Sequence, residues 1–196
     1  MTLTLADTDM ARSTPVQAMQ RDMRRYLATQ TADLHESLHS HTLFTITGSA
    51  GNTKQKCLDF HKVFWRYYYG LEAAMRSFPE LTQFSLVKEY ALISSEYGEI
   101  DLPDCTPRLR SFEEALGALY VAHGTAFGRS SLAQLVRDSG NSASLFLQKK
   151  PDANLWRQLL SVLDQAGETA ENRRDCLSGA IKSFEYFEEC ADRMCR

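Results

Sequence analysis

Glycine and proline are scarce in this 196-residue chain, at 10 and 5 residues, and strand-like alternation of β-branched with polar residues is rare. Those absences exclude a turn-rich, sheet-based fold. No run of 18 apolar residues occurs, so no membrane-spanning helix is expected. Basic residues (22) do not exceed acidic ones (25), and the formal charge of −3 argues against a nucleic-acid partner. No CxxC spacing is present. The five cysteines, Cys57, Cys105, Cys176, Cys190 and Cys195, are odd in number and suit no zinc knuckle. Free thiols in a reducing cytoplasm are therefore expected. P-loop, Rossmann glycine, HExxH and nucleophile-elbow motifs are all missing. The N-terminus, MTLTLADTDMARSTPVQ, has no basic start followed by an apolar stretch. Residues 1–15 read as a disordered arm rather than a signal peptide, and residues 16–196 as one helical domain.

What is present is helical periodicity along nearly the whole chain. A first helix is expected from about Val16 to His39, with Met19, Met23, Tyr26, Leu27, Leu34 and Leu38 as its apolar stripe. A loop over 46–54 precedes a helix from about Lys56 to Arg76, which Pro79 stops. Leu81–Tyr97 forms a third helical segment, and residues 98–110, with two prolines, a loop. Ser111-Phe112-Glu113-Glu114 fits the S-x-x-E capping box at the start of a long helix. Asp138-Ser139-Gly140-Asn141 breaks or bends that helix. A short piece around Ser144–Gln148, a helix over Asn154–Gln165 and a last helix over Glu168–Arg196 complete an all-α, single-domain fold. Cys176, Ala180, Phe184, Phe187 and Ala191 are expected on the inner face of that last helix.

One stretch resists this reading. LGALYVAHGTAFGRSSLAQLV (116–136) carries helical spacing but holds Gly124 and Gly128 one turn apart. Each glycine costs a helix about 1 kcal/mol relative to alanine. Positions four apart share a face, so the pair makes a stripe of bare backbone. The stripe suits a closely packed neighbouring helix, a kink, or a flat ligand against the backbone. Spacing alone favours close packing. Elsewhere, His35 and His39 are i and i+4, with His41 nearby, so the pair either shares a metal or stands with one ring buried and one solvated. His35 lies between Leu34 and Leu38 on the apolar side, as either a core histidine bonded to a carbonyl or an axial ligand to a buried metal or heme. The block Phe64-Trp65-Arg66-Tyr67-Tyr68-Tyr69 reads as core. Lys149-Lys150 reads as a solvated turn, or as an anion contact at a pocket mouth.

Five segments resemble the biliverdin-forming heme oxygenase family, in particular bacterial members associated with phytochromes. LATQTADLHESL, with Leu27, Thr31 and His35, is similar to that family's proximal-helix pattern. LGALYVAHGTAFG is similar to its distal helix. FLQKKPDANLWRQLLSVL and AIKSFEYFEECADRM resemble its later helices, and YYYGLEAAM fits between. The match runs from about residue 20 to 194.

The resemblance implies a bundle of about seven to nine helices with heme between the first helix and the distal one. It implies His35 as proximal iron ligand and Gly124, Thr125 and Gly128 as the catalytic distal wall, with Tyr120 on the same helix. Arg24, Arg25 and Lys149 are the implied basic contacts of the heme. Heme would be both substrate and cofactor, and O2 would be consumed. Ferredoxin or another reductase would supply electrons, and a bacteriophytochrome is a candidate recipient of the biliverdin. The chain departs from the pattern at Arg129, where a glycine is common, at His123, where an acid is common, and at Ala28, where a base is common. Gln148-Lys149-Lys150 replaces a glycine-tyrosine-glycine-like turn. A non-catalytic heme or tetrapyrrole carrier, a di-iron oxygenase drawing on Glu72, Glu114 and His123, and a cofactor-free helical module are the alternative readings. His123 sits about 100° from the glycine stripe. It either bonds a neighbouring helix or reaches the distal edge.

Overall fold

The long first helix expected from the methionine and leucine spacing is two helices in the structure. This computed structural model describes residues 22–43, 50–98, 100–103 and 105–194. Helix α1 spans Met23–Gln30 and α2 spans Ala32–Ser40. They meet at Thr31, whose φ/ψ of −111°/13° lies in the bridge region. The Thr31 hydroxyl donates to the Leu27 carbonyl at 2.8 Å, one turn back. That carbonyl also accepts the Thr31 N–H at 3.0 Å. Threonine back-bonding of this kind bends helices. The Asp22 carboxylate caps α1 by accepting from the Arg25 N–H at 2.8 Å. The arm over residues 1–15 and the expected helix start at Val16 lie outside the described residues.

Helix α3 spans Ala50–Met75 and so begins inside the expected 46–54 loop. Small polar residues favour turns but also suit a helix's first turn, and no proline interrupts this span. Pro79 does more than stop α3, since it opens a 3-10 helix over Pro79–Phe84, with proline in the first turn. The expected Leu81–Tyr97 segment is thereby divided. Only α4, Val87–Tyr97, is α-helical. Glu72 holds the junction, accepting from the Ser85 hydroxyl at 3.0 Å and the Leu86 N–H at 2.7 Å.

Helix α5 spans Phe112–Asp138 and runs unbroken through both glycines. Ser111 caps it, its hydroxyl accepting from the Glu114 N–H at 3.1 Å. The capping box closes one residue early: the Glu114 carboxylate accepts from the Arg110 N–H at 2.7 Å. Lys182, at 2.5 Å, and the Ser178 hydroxyl, at 2.9 Å, hold the same carboxylate. Gly140, at φ 81°, ends the helix where the sequence expects a break. Helices α6 (Leu145–Gln148), α7 (Ala153–Ala166) and α8 (Ala170–Met194) follow. The described residues thus form eight α-helices and one 3-10 helix with no strand, the expected all-α single domain.

Helix α8 packs along α5 through glycine, but not through the expected pair. A Cβ on Gly117 would stand 1.8 Å from the Cys176 carbonyl oxygen, and one on Gly179 1.8 Å from the Glu114 carbonyl oxygen. These two glycines let the backbones touch. The aromatic block of α3 is core, as expected: Tyr67 and Tyr68 are fully buried. Tyr67 stacks on Phe187 at 4.3 Å, with its hydroxyl 2.7 Å from that of Ser183. Cys176, Ala180, Phe184, Phe187 and Ala191 are all buried on the inner face of α8. Cys57, Cys105, Cys176 and Cys190 are free thiols, and Cys195 lies outside the described residues. No described helix is long and apolar enough to cross a membrane.

Candidate functional site

The bend at Thr31 turns α2 alongside a cavity of about 590 Å³. Arg24 and Ala28 of α1, His35 and His39 of α2, and Tyr120, Gly124, Thr125 and Gly128 of α5 all line it. Trp156 of α7 and Phe184 and Phe187 of α8 complete the apolar part. Six residues singled out from the sequence therefore share one cavity: Arg24, His35, Tyr120, Gly124, Thr125 and Gly128.

The imidazole of His35 makes no hydrogen bond among the described residues. The carbonyl bond of a core histidine is thus absent among the described residues. Its ring meets Phe184 edge-on at 6.2 Å and lies 4.5 Å from the ring of His39. Burial, then the neighbouring His39, lower its pKa, against a smaller upward pull from Glu36. The ring is therefore neutral at pH 7, the form that ligates metals.

The two glycines of α5 present bare backbone to this space. A Cβ on Gly124 would meet its nearest neighbour, Trp156, at 3.9 Å, and one on Gly128 would meet nothing within 4 Å. Close helix packing is thus not their role, and α5 is continuous at both. Tyr120 stacks on Trp156 at 5.5 Å, and its hydroxyl donates to the Arg24 carbonyl at 3.4 Å, joining α5 to α1.

Behind Thr125 a polar chain runs inward, legible beforehand only as a tyrosine in an aromatic block. The Thr125 hydroxyl lies 2.6 Å from that of Tyr68 and donates to the Ala122 carbonyl at 2.7 Å. Arg129 donates to the Tyr68 oxygen at 3.0 Å. Guanidinium can only donate, so the Tyr68 proton goes to Thr125. Arg129, 2 % exposed, pairs with Glu89 at 2.5 Å, and its guanidinium lies 4.3 Å over the Phe146 ring. Lys149 takes the other Glu89 oxygen at 2.6 Å. Burial raises the Glu89 pKa, but Arg129 and Lys149 outweigh it and hold the carboxyl below its ordinary value.

Four residues weighed from the sequence stand outside the cavity lining. Lys149 does not line the cavity, because Glu89 holds its ammonium group. Arg25 does not line it either, since it follows Arg24 by one residue and so projects from another side of α1. Arg129 points into the core rather than toward a ligand, because a buried carboxylate on α4 pairs with it. His123 also stays out of the cavity, its Nε2 lying 2.9 Å from the Phe84 carbonyl of the 3-10 helix. Burial, the largest cause, lowers its pKa, so the ring is neutral and donates to that carbonyl.

Glu89→Gln is expected to cost about 2 kcal/mol at neutral pH, the scale of a charge-assisted hydrogen bond. A carboxyl with a depressed pKa stabilises above its unfolded value, and the contribution is lost as pH falls through the folded value. Urea denaturation of wild type and Glu89→Gln should therefore differ at neutral pH and converge below the ordinary carboxylate pKa of 4.5. An undiminished gap in acid would show that Glu89 does not stabilise through its charge.

With this geometry in place, similarity to a solved structure decides the fold. The chain superposes on the heme oxygenase from Neisseria meningitidis, solved in NO- and CO-bound forms, with a TM-score of 0.65. The alignment covers 88% of this chain and 92% of that one, at 16% identity. The fold is heme-oxygenase-like. No protein-family model matches the chain, and no curated protein matches its sequence.

Proposed function

We propose that the cavity binds heme and that the protein cleaves it, with O2 and electrons from an external donor, to biliverdin, iron and carbon monoxide. One observation carries this reading: the imidazole of His35, with no hydrogen-bond partner among the described residues, shares a cavity with the bare helical backbone of Gly124 and Gly128. A flat macrocycle needs both features, a ligand for its metal and close approach to a face. Bound heme supplies the iron and the porphyrin on which oxygen is activated and consumed.

The chain's own groups then have distinct tasks. His35 holds the iron through a ring nitrogen. Arg24 is the cation at the cavity for a propionate. Tyr120 and Trp156 offer stacked aromatic surface to the porphyrin edge. Gly124 and Gly128 let α5 approach the macrocycle while crowding what binds beside it. From α5 the cavity receives no carboxylate and no imidazole; its polar groups there are the hydroxyl-bearing side chains of Tyr120 and Thr125 and the backbone, beside apolar Val121, Phe127 and Leu132. Among the cavity-lining side chains of α5, Thr125 is the polar one nearest the glycines in sequence, and Tyr68 and Arg129 hold it in place. Its own proton goes to the Ala122 carbonyl, so the Thr125 hydroxyl presents a fixed acceptor that would hold a water rather than deliver a proton. Ferredoxin or another reductase is the expected electron donor, and a bacteriophytochrome is a recipient suggested by the sequence resemblance alone.

Titration with hemin is expected to give a 1:1 complex with a Soret band. Adding ferredoxin, its reductase and NADPH should then bleach that band and raise biliverdin absorbance. Failure to bind hemin overturns the reading. A stable complex without biliverdin overturns catalysis and leaves a heme carrier on the same fold.

A further inference from the structure

His39 has no task in the reaction above, yet it lines the same cavity as His35. The two are i and i+4 on α2, so the helix itself holds their rings side by side. Neither ring has a hydrogen-bond partner among the described residues. Their centroids are 4.5 Å apart, at an interplanar angle of 59°. Metal–nitrogen bonds of about 2.0–2.1 Å put two imidazoles on adjacent, right-angled sites of one ion roughly 4.5 Å apart at their centroids. A tetrahedral ion requires a wider spacing, roughly 5 Å. The spacing therefore matches the right-angled sites of Ni2+ or Cu2+, which also favour imidazole nitrogen.

We propose that His35 and His39 form a two-imidazole site for a tetragonal divalent ion, Ni2+ or Cu2+, in the heme-free cavity. Among the described residues no group of three or more such ligands converges, so water fills the remaining positions. Ion and heme exclude each other, because both use His35; this last clause rests on the function proposed above. Other histidines do not compete. His61 and His123 are held in the interior by hydrogen bonds, and His41 lies 3.2 Å from Asp192.

The test is calorimetric titration of untagged, heme-free full-length protein with Ni2+. One equivalent is expected to bind. His39→Ala and His35→Ala should each weaken binding about a hundredfold, the scale lost when a second, linked contact is removed. His41→Ala should leave it unchanged, and circular dichroism should show each variant folded. Preloading with hemin should abolish Ni2+ binding. Binding that survives His39→Ala, or no binding by wild type, overturns the site. Ni2+ bound equally well by the hemin complex overturns the exclusion. Ni2+ binding with loss in both variants supports the site even where hemin fails to bind, a result that would overturn only the heme reading.

Discussion

His35→Ala is expected to remove the histidine-ligated signature from the hemin complex and to cut biliverdin formation by more than about a hundredfold. Loss of a supporting residue around a metal costs 10–100-fold, and here the ligand itself is removed. The fold should be indifferent. The His35 ring projects into open space and bonds to no described residue, and such surface-like changes shift stability by about 0.5 kcal/mol or less. Thermal melting of the heme-free variant should therefore match wild type. His39 stands one turn away and must be controlled for. The double variant His35→Ala/His39→Ala, scored by visible spectrum and turnover, supplies that control, and added imidazole should restore the ligated spectrum. A double variant that keeps both the spectrum and the turnover would remove His35 from the site.

The second large effect separates three glycines of similar appearance. Gly117→Ala and Gly179→Ala each drive a methyl to 1.8 Å from a backbone carbonyl oxygen across the α5–α8 contact. Backbone cannot rotate aside as a side chain can, so the cost should exceed the upper end of ordinary overpacking, about 3 kcal/mol. Gly128→Ala meets nothing within 4 Å and should stabilise α5 by up to about 1 kcal/mol. For a chain of this length that is a rise of about 2–4 °C in Tm. Gly128→Leu extends the logic to the ligand, since it should keep the wild-type Tm and lose hemin binding. Unfolding by Gly128→Leu, or undisturbed hemin binding in it, would contradict the assignment of this stripe to the cavity.

These two experiments trace where sequence and structure divided the work. The helix ends carried their own signals. Ser111 caps α5 and Gly140 ends it, because a hydroxyl near a free N–H and a residue tolerant of positive φ act within a few residues of their own position. The cavity residues His35, Gly124 and Gly128 were legible through the family resemblance rather than through their spacing. The bend at Thr31 was not, since a threonine continuing or bending a helix differs only in where its hydroxyl points. The core position of Arg129 was equally hidden. A guanidinium goes inward only where a carboxylate, here Glu89 from 40 residues away, is waiting to pair with it.

The glycines show the boundary most plainly. Local periodicity by itself determined that this chain is helical and that Gly117, Gly124 and Gly128 share one face of α5. Seven and eleven residues at 3.6 per turn leave them within about 40° of each other. Their roles nevertheless differ, and nothing in α5 assigns them. Gly117 touches the backbone of α8, whereas no α8 atom lies within 4 Å of a Cβ placed on Gly124 or Gly128. Only the tertiary course of α8, held against α5 where Gly117 and Gly179 let the backbones meet, decided which part of one stripe became packing and which was left open as cavity wall. Periodicity is a property of one helix, but the space beside it belongs to two.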